Sequence, residues 1–284
     1  MSPTKLIESS EWSTFAPAFM QLVSAGPGVA PAQHMATYAD KLLPFSQATT
    51  VVDMGCGPGQ VTDAVLTQHG ARLPADARVV GADSNPQMLQ GYAARKERET
   101  AQEKEHWRRA EQVQTDVHDC AAFADGTVSH MLAGFVVFLV PEPAKALQAM
   151  KRTLKPGGVL ALSAWQESEW MGLMYYPKKV RPDLVMPVPP ADWTSPESVR
   201  AKLEQAGFKD IEVVQVEGYM PFEDHAEICR FILTKMPLSA RVVAQMTDEE
   251  VLKTHELMVK DLKARYPTVP AKMVGKATMT YCRK

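Results

Sequence analysis

No apolar run in this 284-residue chain is long enough to span a bilayer, which takes about 20 consecutive residues. The start, MSPTKLIESSEW, lacks the apolar core and cleavage signature of a secretory leader. Cytoplasmic residence is therefore expected, and no membrane partner is. The four cysteines, Cys56, Cys120, Cys229 and Cys282, are scattered with no CxxC pair, which excludes a disulfide framework and a zinc pattern. The histidines never adopt HExxH spacing, so no metal is expected. An excess of one charge is absent too: 31 basic against 33 acidic residues leave a formal net charge of -2. Nothing in that balance draws in nucleic acid, and no nucleic-acid partner is expected. The one dense charge run, RKERETAQEKEHWRR (95–109), alternates in sign and predicts a solvated helix face. Internal repeats and low-complexity segments are missing.

What is present is a rhythm. Residues 1–45 read as helical, with Trp12, Phe15 and Phe19 at helix-like spacing and AGPGVAP (25–31) as a break. Short β-branched or apolar runs then follow at 49–54, 77–83, 111–116, 128–139 and 159–165. Amphipathic segments separate them. Gly70 is placed as a residue closing one helix, Pro86 at the first turn of the next, and KPGG as the stop after 142–154. This alternation predicts an α/β, Rossmann-like sheet, mostly parallel, with helices on both faces. Residues 166–194 read as a Met-, Tyr- and Pro-rich connector. Beyond it come a helix capped by Ser195 with Pro196 at its first position, and a strand at 209–218. Two helices follow, the second opened by a Thr247–Glu250 capping box, and then a final strand. That makes seven strands and a helical cap.

The chemistry is announced by VVDMGCGPGQVT (51–62). Asp53 ends a strand, and Gly55, Gly57 and Gly59 follow on alternate positions. A dinucleotide turn wants GxGxxG, but Gln60 stands where the third glycine should be. A carboxylate at the strand end would also repel a pyrophosphate, whereas it suits a ligand carrying an ammonium or sulfonium.

This stretch resembles the first motif of class I S-adenosylmethionine (SAM) dependent methyltransferases. VVGADSNPQML is similar to the second-strand motif, QTDVHD to the third, and AMKRTLKPGGVLALSAW to the segment leading into the fifth strand. Together they span roughly 49–165, in the style of ubiquinone/menaquinone-type and fungal secondary-metabolite methyltransferases. The resemblance implies a single domain over 1–284, with a SAM-binding core at 46–165 and a helical cap at 1–45 and 219–271. It implies that the backbone at Gly55, Gly57 and Gly59, with Cys56 a small loop residue among them, approaches the amino-acid arm of SAM and its sugar, with Asp53 holding the loop near the ammonium. Asp83 would accept from the ribose hydroxyls, with Ser84 and Met88 beside the adenine. Asp116 and the Val117 N–H would meet the adenine edge, and Gly134 and Phe135 would lie under the methionyl arm.

Methyl transfer from a sulfonium needs alignment and dryness more than acid–base groups, so a weak catalytic signature is expected. His34, in the N-terminal region that folds over the site in this family, is the candidate base. His118, His225 and His255 are further histidines near the site or in the cap, and His130 sits at the wrong end of its strand. Phe19, Trp165 and His225 are the candidate acceptor contacts. The fourth-strand segment, AGFVVFLVPEP, lacks the NPPY-like element of methyltransferases acting on amino groups of nucleic acids and proteins. The acceptor is expected to be a small, partly apolar metabolite, methylated on O or N. The alternatives are a SAM-binding enzyme that rearranges or cyclises without methylating, and a catalytically silent regulatory subunit. Oligomeric state is left open.

Overall fold

A computed structural model describes residues 12–22, 25–186, 191–193 and 195–284, with the side chains of Phe15 and Phe19 outside that description. Seven strands form one sheet: β1 (Thr50–Met54), β2 (Arg78–Asp83), β3 (Ala110–Gln114), β4 (Val128–Gly134), β5 (Leu154–Ser168), β6 (Lys209–Phe222) and β7 (Ala271–Arg283). Their spatial order is β3-β2-β1-β4-β5-β7-β6. β1 to β5 pair in parallel, and β7 runs antiparallel to both neighbours. The winding reverses between β1 and β4, and that reversal opens a crevice beyond the strands' carboxyl ends.

Consecutive strand residues point to opposite faces, and both faces are buried. Val51 and Val79 pack under α2 (Val29–Leu42) and α3 (Gln60–His69), which follow α1 (Trp12–Leu22) in the chain. Val52 and Val80 face the layer holding α5 (Pro143–Thr153) and α8 (Pro196–Gln205). This two-sided burial is why the strands read as continuous apolar runs. α4 (Pro86–Ala101) follows β2. A third apolar cluster joins the ends of β6 and β7 to α6 (Glu169–Met174), α9 (His225–Lys235) and α11 (Asp248–Arg265). α7 (Pro177–Val180) and α10 (Pro237–Val243) complete the helices. Among the described residues, no helix is long and apolar enough to cross a membrane.

Several caps form as their residues require. Ser195 accepts from the Ser198 N–H, and Thr247 and Glu250 cap each other reciprocally. One apolar run is trimmed and four local expectations are corrected. β4 stops at Gly134, because Phe135 turns left-handed (φ 60°) and VFL coils into a short 3-10 turn. β5 starts earlier, at Leu154, and runs through the KPGG stretch instead of beginning after it. Gly70 is not left-handed (φ -51°) but leads into another 3-10 turn. Part of the 166–194 connector continues β5 and then forms α6 and α7. The charge run is not wholly solvated, since Arg95 (3% exposed) and Glu99 (4%) are buried.

Candidate active site

Gly55, Gly57 and Gly59 have φ of 67°, 48° and 83°, a region that a Cβ strains. The turn is pinned to the next strand by the Gly55 and Cys56 N–H groups, which donate to the Ala82 carbonyl at 2.7 and 3.0 Å. Gly59 then caps α3 against the faces of Tyr92 and Trp107, where a side chain would be tight. At Gly57 a Cβ would meet nothing nearer than the Met88 sulfur at 3.9 Å. Open space therefore lies beside that bare backbone.

Asp53 reaches from β1 into the first turn of α3. One carboxylate oxygen accepts from the Thr62 N–H (2.9 Å) and the Thr62 hydroxyl (2.8 Å). The expected loop-holding contact is thus made to the helix start, satisfying a backbone donor that helix geometry leaves free. Burial raises the Asp53 pKa to about 6, against the opposing pull of the Thr62 hydrogen bonds. Burial also pushes the Cys56 thiol up.

Asp83 closes the glycine turn from the other side. Its two oxygens accept from the Gly57 N–H and the Asn85 N–H, each at 2.9 Å. Burial raises its pKa, opposed by those N–H donors. Asn85 in turn caps α4 through the Gln87 and Met88 N–H groups. Farther along, Asp116 accepts from the His118 N–H (2.8 Å) and from His118 Nδ1 (2.6 Å).

Arg95 braces the turn from behind. It donates to the Gly59 carbonyl (3.0 Å) and the Pro58 carbonyl (3.4 Å), and pairs with Asp63 at 2.8 Å. The Trp107 indole lies 5.4 Å from its guanidinium and donates to Asp63. No motif marks Arg95; its hint was an arginine four residues ahead of Glu99 inside a helix.

These pieces border a cavity of about 440 Å³ at the β1–β4 reversal. The lining brings together Asp53, Gly55, Cys56, Gly57, Asp83, Ser84, Met88, Asp116, Val117, Gly134, Phe135 and Trp165. His118 lines it as well. Neither His34 nor His225 does, which corrects two candidate roles. His34 stands two positions past Ala32, about 200° round the helix. While Ala32 and Met35 face the cavity, His34 hydrogen-bonds the Tyr281 hydroxyl at 2.7 Å and stacks on Tyr38. Burial and the Lys41 charge lower its pKa. His225 donates from Nε2 to the Tyr266 carbonyl at 2.7 Å and packs against Phe222. His255 is likewise spent on the Ala226 carbonyl, at 2.8 Å. The Phe19 side chain lies outside the described residues.

Sequence reading missed Trp170, Met236, Met35 and Ser163, all of which line the cavity. Trp165 stacks on Phe135 with centroids 4.4 Å apart and planes 13° apart, and Trp170 meets Trp165 edge-on at 4.9 Å. Both indoles lie on glycines. Gly218 of β6 and Gly275 of β7 are cross-strand partners. A Cβ on Gly218 would come within 2.7 Å of the Trp165 ring, and one on Gly275 would overlap the Trp170 ring. Ser163 accepts the Phe135 N–H at 3.0 Å, holding that residue in its left-handed turn.

The open cradle at Gly57, bordered by the Asp83 carboxylate, fits a nucleoside carrying an amino-acid arm. Residues 52–162 match the methyltransferase domain family. With the strand order above, this match marks that stretch as a SAM-dependent methyltransferase domain, whose cofactor is SAM. Over 271 residues the chain is 29% identical to the methyltransferase ucsB of Acremonium sp, which covers 95% of this chain and 93% of that one. It is 39% identical over 120 residues to trans-aconitate 2-methyltransferase of Azoarcus sp. (strain BH72), or 42% of this chain and 40% of that one. Among solved structures, the cyclase SpnF aligns over 100% of this chain and 97% of its own, with a TM-score of 0.55 and 18% identity. At that identity the likeness concerns the fold.

Proposed function

We propose that the protein transfers the SAM methyl group to an oxygen or nitrogen atom of a small, partly apolar metabolite, mainly by proximity and desolvation. The observation that carries this reading is one cavity with two unlike ends. Carboxylates and bare backbone line the β1–β3 side; Phe135, Trp165, Trp170 and Met236 line the β4–β5 side and its cover. In this reading residues 46–165 form the cofactor core, while the helices within 1–45 and 219–271 cap the acceptor. Support for the cap comes from lining residues in both segments, Met35 and Met236 among them.

Asp83 holds the ribose hydroxyls with the lone pairs not used by Gly57 and Asn85. Gly55, Cys56 and Gly57 leave room for the methionyl arm, Asp53 keeps α3 and the turn in register, and Gly134 and Phe135 lie beneath that arm. Ser84, Met88, Asp116 and Val117 enclose the adenine. SAM supplies a methyl group already activated on a sulfonium. Bound there, it would give that methyl group to the acceptor's lone pair and leave as the neutral thioether, with the acceptor's proton going to water.

Among the described lining residues the ionisable side chains are Asp53, Cys56, Asp83, Asp116 and His118, all on the β1–β3 side. The acceptor side therefore offers alignment and dryness in place of a base. Effective molarities for aligned reactants reach about 10⁵ M or more, enough for a pre-activated methyl group. The test is transfer of label from methyl-labelled SAM to product, after calorimetry with S-adenosylhomocysteine. Absence of nucleoside binding would sink the reading, as would binding without label transfer across O–H and N–H acceptors.

A further inference from the structure

We infer that the acceptor is an uncharged molecule bearing a flat, conjugated ring, and that carboxylate acceptors are turned away; this rests on the methyl-transfer reading above. The charge half follows from the cavity's inventory. Its described lining carries Asp53, Asp83 and Asp116 but no lysine or arginine. Asp53 lies near the end of β1, Asp83 ends β2 and Asp116 follows β3. The sheet order puts β5 four strands from β3 and two from β1, about 19 Å and about 10 Å at the usual spacing. An anion at the aromatic end would lose its water with no lysine or arginine to replace it, the cofactor's sulfonium being the one cation in reach. A cation would face the like charge of the sulfonium. An uncharged group meets neither penalty.

The ring half follows from how the aromatic end is built. Phe135 and Trp165 are stacked nearly parallel, and Trp170 stands edge-on to Trp165. Gly218 and Gly275 are partners across β6 and β7; Gly275 makes room for the Trp170 indole, and Gly218 for the Pro27 carbonyl as well as the Trp165 ring. Glycine weakens a strand interior, so seating both rings this way has a cost that plain apolar filling would avoid. Phe135 adds a second cost, since a bulky residue at φ 60° is uncommon. Two costs converging on one aromatic wall mark a surface shaped for contact. A flat ring can lie offset or edge-on against such a wall, where a saturated ring of equal bulk cannot.

The test uses the full chain saturated with S-adenosylhomocysteine and three probes: naphthol, naphthoate and decahydronaphthol. Calorimetry on the wild type should give naphthol about tenfold tighter than naphthoate, and about fivefold tighter than decahydronaphthol. In Trp165→Leu the preference for the flat ring should fall below about twofold, while the rejection of naphthoate persists. Phe135→Leu serves as the second variant should the indole prove necessary for folding. Naphthoate binding as tightly as naphthol overturns the charge half, and an unchanged flat-ring preference in both variants overturns the ring half. No naphthol binding overturns the whole inference. Failure to saturate with S-adenosylhomocysteine would instead undo the methyl-transfer reading, so the two failures are separable.

Discussion

At the β1–β3 end of the cavity, the backbone N–H groups of Gly57, Thr62, Asn85 and His118 are each held by a carboxylate. At the β4–β5 end, the Phe135 N–H goes to a serine hydroxyl, and the remainder is ring on ring and ring on glycine. Directional partners suit a cofactor whose shape does not change from one methyltransferase to the next. Packing contacts suit an acceptor pocket that must be reshaped without disturbing the cofactor. The difference teaches where each kind of damage should appear.

The largest effect should come from Asp83→Ala. It removes the contacts proposed for the ribose and frees the Gly57 N–H. Two charge-assisted hydrogen bonds at about 1.5 kcal/mol or more each predict a loss of S-adenosylhomocysteine affinity of about 200-fold, read by calorimetry. Undiminished affinity would erase the contrast between the two ends. Arg95→Met should come next. Removing a buried cation from Asp63 and Glu99 costs about 2 to 3 kcal/mol in urea unfolding, softened because Arg98 and Lys104 still pair with Glu99. Nucleoside affinity should fall several-fold as well, because the Pro58–Gly59 corner loses its brace.

Gly218→Ala probes the other end. Its methyl group would crowd the Trp165 ring and the Pro27 carbonyl, an overpacking worth about 2 kcal/mol. Acceptor turnover should drop while S-adenosylhomocysteine binds as before; a parallel loss of both would mean the two ends are one mechanical unit. A smaller effect is expected from pH. Burial takes the His130 pKa from 6.5 to about 4, so the unfolded chain binds a proton there first. Stability should decline as pH falls through that window. Asp53 opposes it: a carboxyl raised to about 6 favours the fold at low pH, and that contribution is lost as pH rises through about 6. Comparing His130→Gln with the wild type in urea at several pH values isolates the histidine share, which should vanish in the variant. The smallest effect belongs to His34→Gln. A side chain committed to Tyr281 and turned from the cavity should leave kcat within about twofold, well short of the hundredfold or more that a general base contributes.

The same contrast governs what could be read from the residues alone. The polar end was legible because left-handed turns demand glycine at fixed spacing, and carboxylates must stand at strand ends. Gly55, Gly57, Asp53 and Asp83 lie where that logic put them. The alternation of strand and helix was legible for the same local reason. The aromatic end was not, because its contacts join distant segments: Trp165 with Gly218, Trp170 with Gly275. Nothing near Trp170 in the sequence says that a strand about a hundred residues later will leave room for it. Arg95 and Glu99 were misread because alternating charge describes a solvated helix equally well until a neighbour covers it. His34 and His225 do not line the cavity, because chemical competence says nothing of facing. The end of β4 was legible in outline, with Phe135 expected past the strand, and the Ser163 contact reveals the left-handed turn there.

Strand β7 comes last in the order of synthesis yet lies between β5 and β6. While a nascent chain emerges, β5 and β6 must therefore wait with open edges, each a template for wrong pairing. The floor under Trp170 arrives with Gly275, in that same late strand. The aromatic end of the cavity is thus completed only after translation has passed β1 to β6, and a ribosome stalled before β7 would carry a polypeptide in which the glycine turn is already made while Trp170 still lacks its floor.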